Sequence, residues 1–308
     1  MYKTLPKASI AKWAFYCLPI GVLGYVAFEI FSRLRYQEFD WSDRIGSALP
    51  TLLIIGILSY ANLYCEMRKW STLIGAQGNR SLAWKAIMAG LVGGFLTPNR
   101  IGDIAGKTLA TPAGVRASSF VASALGSLLQ GAVTIVFGLL ALFLYPLSLP
   151  DYSVFANGPG ITIALAAALL GAGGFLFFRK RISSKMDALI LAASQVRPVT
   201  VFHASRWAVM RYLIFASQLY LALAMMGISL SLFSAFSAIA LLYLFQSYFP
   251  FSSFGDLGVR EIFAMAIFSP MVEFAPLAAA ATLVVWLINI AIPVTIGSIR
   301  MRQLVPAL

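Results

Sequence analysis

Apolar residues in this chain run in long unbroken blocks, without the polar stripe of a surface helix or the alternation of a half-buried strand. Blocks fall near 13–32, 47–65, 82–97, 117–145, 159–178, 207–226, 232–249 and 277–299. All but 82–97 approach or exceed the roughly 20 residues that a helix needs to cross about 30 Å of hydrocarbon. The pattern predicts about eight spans in an all-α polytopic membrane protein, a single integral membrane domain over 1–308. Two blocks end at a Pro-containing polar turn followed by a short apolar segment, about 101–111 and about 257–269. At 1.5 Å per residue those segments reach only roughly 16–20 Å, which predicts half-helices that enter the membrane and turn back.

The turns carry the chemistry. Thr97-Pro98-Asn99-Arg100-Ile101-Gly102-Asp103-Ile104-Ala105-Gly106-Lys107 sets three charges inside apolar sequence, and Pro250-Phe251-Ser252-Ser253-Phe254-Gly255-Asp256-Leu257-Gly258-Val259-Arg260-Glu261 repeats the design. An Arg, Lys or Asp at a helix centre costs about 2.5–3.5 kcal/mol on an insertion scale, so such a set needs protein or water around it. A half-helix beginning in the membrane leaves its first N–H groups and positive dipole end without partners, which favours an anion there. Arg100 is unfavourable towards that dipole alone and becomes sensible with a phosphate between them, since a guanidinium clamps two phosphate oxygens at once. Asp103 precedes Lys107 by four residues and Asp256 precedes Arg260 by four, the favourable direction for an acid–base pair on a helix. Arg100, Lys107 and Arg260 are thus candidate anion ligands. Asp103, Asp256 and Glu261 would orient them, with Thr97, Asn99, Ser252 and Ser253 as polar turn residues beside them.

Composition excludes a water-soluble globule: of 308 residues, 60% are hydrophobic and 11% charged. The net charge of +12 lies between the apolar blocks, as in loops facing anionic lipid, and does not call for nucleic acid. Arg179, Lys180, Arg181, Lys185, Arg197 and Arg206 crowd one loop, whereas the loop around Asp151 has no base. By the positive-inside rule the first is cytoplasmic and the second external. Counting outward puts both termini in the cytoplasm of a cell-membrane protein, a bacterial cytoplasmic membrane being the natural setting. The loop from Arg33 to Arg44 violates the rule mildly. The two hairpins then open to opposite faces, an inverted-topology arrangement with repeats centred on 82–145 and 232–299. The N-terminal block, preceded by Lys3, Lys7 and Lys12 and followed by Glu29 and Arg33, reads as an uncleaved first span. Cys17 and Cys65 read as packing residues, and no metal or other cofactor is expected.

Polar residues within spans divide in two. Gln130, with Thr134 on the same helix face, Arg211 and Gln246 are cavity candidates. Asn62 and Asn289 read as interhelical glue. Glu29, Glu66 and Glu261 fall near span ends, where the default is a solvated carboxylate, and His203 sits among bases as an interfacial residue. No nucleophile with a His and an acid, no nucleotide-binding Gly-rich loop and no metal-ligand spacing occurs, so no enzyme template fits.

Thr97-Pro98-Asn99-Arg100-Ile101-Gly102-Asp103 and Gly255-Asp256-Leu257-Gly258-Val259-Arg260-Glu261 resemble the Thr-Pro-x-Arg-x-Gly-Glu and Gly-Gly-x-Gly-x-x-Glu signatures of the lysylphosphatidylglycerol synthetase/flippase transmembrane-region family. Weaker resemblance covers Gln130 to Gly138, Arg211 to Gln218 and Trp286 to Gly297. Asp103 stands where that family often has Glu, Asp256 replaces the second Gly of the later motif, and the soluble aminoacyl-transferase domain is absent. The resemblance therefore implies movement of a lipid between leaflets and not synthesis of aminoacylated lipid. The lipid would carry a phosphate-containing head group, as in a phospholipid, an aminoacyl-phospholipid or a polyprenyl-phosphate-linked molecule. Membrane lipids, anionic or phosphate-bearing, are the partners this implies, with a homo-oligomer or a lipid-modifying enzyme left open. The alternatives are an accessory subunit that presents lipid to a separate glycosyltransferase or synthetase, and an intramembrane enzyme acting on polyprenyl phosphate.

Overall fold

A computed structural model describes residues 41–75, 79–97, 100–147, 196–247 and 256–299, together with Phe28. The predicted spans 13–32 and 159–178 lie outside the described residues, as do Pro98, Asn99, Ser252, Ser253, Cys17, Asp151, Arg181 and the side chain of Asp256. Every described element is helical: α1 Trp41–Ile74, α2 Arg80–Leu96, α3 Ile101–Leu109, α4 Arg116–Leu147, α5 Pro198–Met225, α6 Leu232–Ser247, α7 Asp256–Phe268, α8 Pro276–Trp286 and α9 Ile292–Ile299. A π turn, Leu287–Ala291, joins α8 to α9 in one continuous rod.

Among the described residues four rods are long and apolar enough to cross a membrane: Ala48–Ile74, Ala113–Tyr145, Pro198–Met225 and Pro276–Ile299. Their outward faces carry exposed Leu53, Ile57, Tyr60, Val136, Phe143 and Phe202. Water would penalise such faces and lipid would not. α2, α3, α6 and α7 are shorter, at 17, 9, 16 and 13 residues. At 1.5 Å per residue α3 is only about 14 Å long.

Glycine shapes the α2–α3 pair. A Cβ at Gly93 would overlap the Gly102 carbonyl, and one at Gly102 the Gly93 carbonyl, so the two backbones touch directly. At Gly90 a Cβ would sit 2.7 Å from Asp103 Oδ1 and 2.8 Å from Lys107 Cγ. The missing side chain is the space in which the charges of α3 pass α2. Thr97 locks the turn: its hydroxyl donates to the Gly93 carbonyl at 3.0 Å and accepts the Gly102 N–H at 2.7 Å. That satisfies one of the N–H groups that a helix start leaves over.

The π turn has an equally local cause. Pro293 has no N–H to give the Asn289 carbonyl, so the ladder slips by one residue and Ile292 N–H reaches Leu287. Two apolar cores hold the bundle. One gathers α1, α2, α4, α5 and α9 around Trp70, Ile87 and Ala89, with Ala110 just past α3, the other gathers chiefly α4 to α8 around Leu219, Leu242 and Phe268. Tyr145 ties α4 to α7 by donating to the Ile267 carbonyl.

Candidate functional site

A cavity of about 320 Å³ opens between the two cores. Arg100 reaches it from the α2–α3 turn and Arg260 from the first turns of α7, so the two polar turns of the sequence converge on one space. Gln130 and Thr134 of α4, Arg211 of α5 and Gln246 of α6 line it as well. The remaining wall is mixed: aromatic Tyr212, Phe215, Tyr243 and Trp286, three aliphatic side chains, the hydroxyls of Ser247 and Thr282, and the amide of Asn289 in the π turn. Among the described lining residues there are three guanidiniums and no carboxylate.

Each arginine is held differently. Arg100 is the only described residue other than glycine with positive φ, at φ 54° and ψ 27°. A non-glycine residue in that left-handed region costs roughly 1–2 kcal/mol, and such strain concentrates at working sites. Among the described residues its guanidinium has no ion-pair partner. Arg260 is 6% exposed; one amino group donates to Glu261 Oε1 at 2.7 Å, while its buried Nε has no partner among the described residues. Glu261, wholly buried, is the clamp at this tip. Its Oε2 accepts the Gly258 N–H, and the Thr282 hydroxyl lies 3.3 Å from Oε1, the oxygen that also takes Arg260. Gly258 takes φ 91°, open only to glycine, to bring that N–H round.

Arg211 belongs to a buried ion network. Its Nη1 donates to Glu66 Oε2 at 2.7 Å and its Nε to Asn62 Oδ1 at 2.7 Å. Lys69 also reaches Glu66 Oε2, at 2.7 Å, and Lys107 reaches Glu66 Oε1 at 2.8 Å and Asp103 Oδ2 at 2.7 Å. Lys69 further donates to Gln130 Oε1 at 3.4 Å, and Gln130 Nε2 to the Ala208 carbonyl at 3.4 Å. Glu66 is thus a hub that joins α1, α3 and α5.

Several expectations change. Glu66 and Glu261 are not solvated span-end carboxylates: both are buried, because each has cations and donors enough to offset its lost hydration. Lys107 does not face the cavity. Its ammonium is enclosed by Glu66 and Asp103 and anchors α3 to α1. Asp103 pairs with Lys107 as the four-residue spacing implies, whereas Arg260 pairs with its neighbour Glu261. Asn289 lines the cavity, although its amide also donates to the Val285 carbonyl at 3.0 Å. Thr97 is a helix-capping residue.

Lys69 and the pairing of Asn62 with Arg211 were missed by the sequence reading. Their signal was present: Asn62, Glu66 and Lys69 fall at spacings of four and three and share one face of α1. No protein-family model, no curated protein and no solved structure matches this chain.

Proposed function

We propose that this chain moves a lipid with a phosphate-containing head group between leaflets, holding the phosphate on Arg100, Arg260 and Arg211 while the hydrocarbon chains stay in the bilayer. The observation that carries the reading is the cavity wall, in which three guanidiniums from three chain segments face one space with no described carboxylate among them. Arg211 and Arg260 each have one carboxylate partner, Glu66 and Glu261, while Arg100 has none among the described residues, and the buried Arg260 Nε is a donor without a described partner that an anion would complete. A guanidinium suits phosphate because its planar fork makes two bonds at once. The apolar, hydroxyl and amide groups of the wall suit the uncharged part of a head group, by contact and by hydrogen bonding.

In this reading α2–α3 and α6–α7 are re-entrant hairpins entering from opposite faces, within about eight spans of a cell membrane, with both termini cytoplasmic. The motif resemblance to the lysylphosphatidylglycerol synthetase/flippase transmembrane region fits the same reading. Lys107 is assigned to holding α3 in place, not to the ligand.

Purified chain reconstituted in liposomes, with tail-labelled lipids that carry or lack a phosphate, tests the proposal. The expected result is accelerated transbilayer movement of phosphate-bearing lipid only. Rates equal to protein-free liposomes for every lipid would remove transport and leave the accessory-subunit reading.

A further inference from the structure

A second cavity, of about 600 Å³, lies where the end of α1 meets the start of α5, and it shares no lining residue with the first. Arg68 enters from α1, Arg197 stands at the start of α5, and His203 and Arg206 follow on the same helix over its next two to three turns. Among the described residues no carboxylate lines it and none of these arginines has an ion pair. Arg68 is not simply a solvated base. Its guanidinium carbon stands 5.3 Å from the centroid of the Trp207 ring, and its buried Nε has no partner among the described residues. Stacking on an aromatic face fixes the plane of the fork while leaving its edge free for an anion.

Beside the cavity, Val199 and Phe202 are exposed at 61% and 65%. They follow Arg197 on the same helix, so an apolar surface adjoins the bases. This juxtaposition is what a phosphate with an attached acyl chain requires, because the head enters the basic hollow and the chain lies on the apolar face. We propose that this hollow binds the phosphate head group of an anionic phospholipid as a resident ligand, separate from the lipid that the central cavity handles. Arg68 and Arg206 clamp the phosphate from the two helices, and Val199 and Phe202 meet the acyl chain. The site stands on its own geometry and survives if the central cavity proves to do something else.

Calorimetric titration of the purified chain in neutral detergent tests it, in an Arg100→Gln/Arg260→Gln background that weakens the central cavity. The probes are dioctanoyl phosphatidate, dioctanoyl phosphatidylcholine and inorganic phosphate. Phosphatidate is expected to bind at one site per chain, at least tenfold tighter than either of the others. Arg68→Gln should weaken it about tenfold or more. Thr200→Asp, which keeps every base and sets a carboxylate into the same hollow, should do the same. That second substitution, made also in the otherwise unchanged chain, keeps the test valid if the Arg variants fold poorly. Phosphatidate affinity unchanged by both Arg68→Gln and Thr200→Asp would overturn the site. Inorganic phosphate binding as tightly as phosphatidate would overturn a lipid as its ligand, and equal affinity for phosphatidylcholine would overturn recognition of net negative charge.

Discussion

Replacing Glu66 with Gln tests whether one carboxylate organises the interior. In the native chain Glu66 and Asp103 face Lys69, Lys107 and Arg211, so the network carries one net positive charge. Glu66→Gln leaves the three cations with Asp103 alone. The amide also turns an NH₂ group towards donors that the carboxylate had accepted. Breaking a buried ion pair costs about 3–5 kcal/mol. At roughly 2–4 °C per kcal/mol for large domains, the melting midpoint should fall by roughly 6–20 °C. Adding Lys69→Met removes one stranded cation, restores the net charge and should recover part of the loss. The assay is thermal melting in detergent followed by size-exclusion chromatography, with Glu66→Asp as the charge-retaining control. A midpoint for Glu66→Gln within 1 °C of the parent, or a double variant less stable than the single one, would refute the hub argument.

Three further outcomes follow from the packing. Gly102→Ala should destabilise the chain by about 1–3 kcal/mol, because the new methyl overlaps the Gly93 carbonyl and meets the Thr97 hydroxyl; the midpoint of thermal melting reads this. Arg100→Gly should raise stability by up to about 1–2 kcal/mol, since glycine accepts φ 54° without strain, while abolishing lipid movement; melting and transport measured on one preparation would show the two changes in opposite directions. Tyr145→Phe removes the hydroxyl bond to the Ile267 carbonyl and should cost about 1 kcal/mol with transport unchanged.

Block lengths and turns along the chain foretold much of this architecture. The segments predicted near 101–111 and 257–269 form α3 and α7, and the block 82–97 forms α2. Five polar residues singled out as cavity or anion candidates, Arg100, Gln130, Arg211, Gln246 and Arg260, do line one cavity. Periodicity could not say which charges pair, since that depends on helix neighbours and not on helix type. Lys107 looked available because its partner Glu66 lies 41 residues earlier, and only the tertiary packing of the bundle brings them to 2.8 Å. Glu66 itself was misjudged from its place near the end of a predicted block. α1 continues to Ile74, so the carboxylate sits well inside the helix. The place of Asn289 in the cavity wall was illegible for a related reason, because it sits in a π turn where the helix ladder slips, Pro293 four residues on having no N–H for the Asn289 carbonyl.

The most direct test of the central claim is transport by Arg260→Ala in proteoliposomes, at matched protein density and with melting confirmed for each variant. Arg260 contributes the partnerless Nε, so its removal should abolish movement of phosphate-bearing lipid. Arg260→Lys should restore only part of it, the charge returning without the planar fork. Movement by Arg260→Ala at the parental rate, for every lipid that the parent moves, would contradict the arginine cavity as the phosphate site.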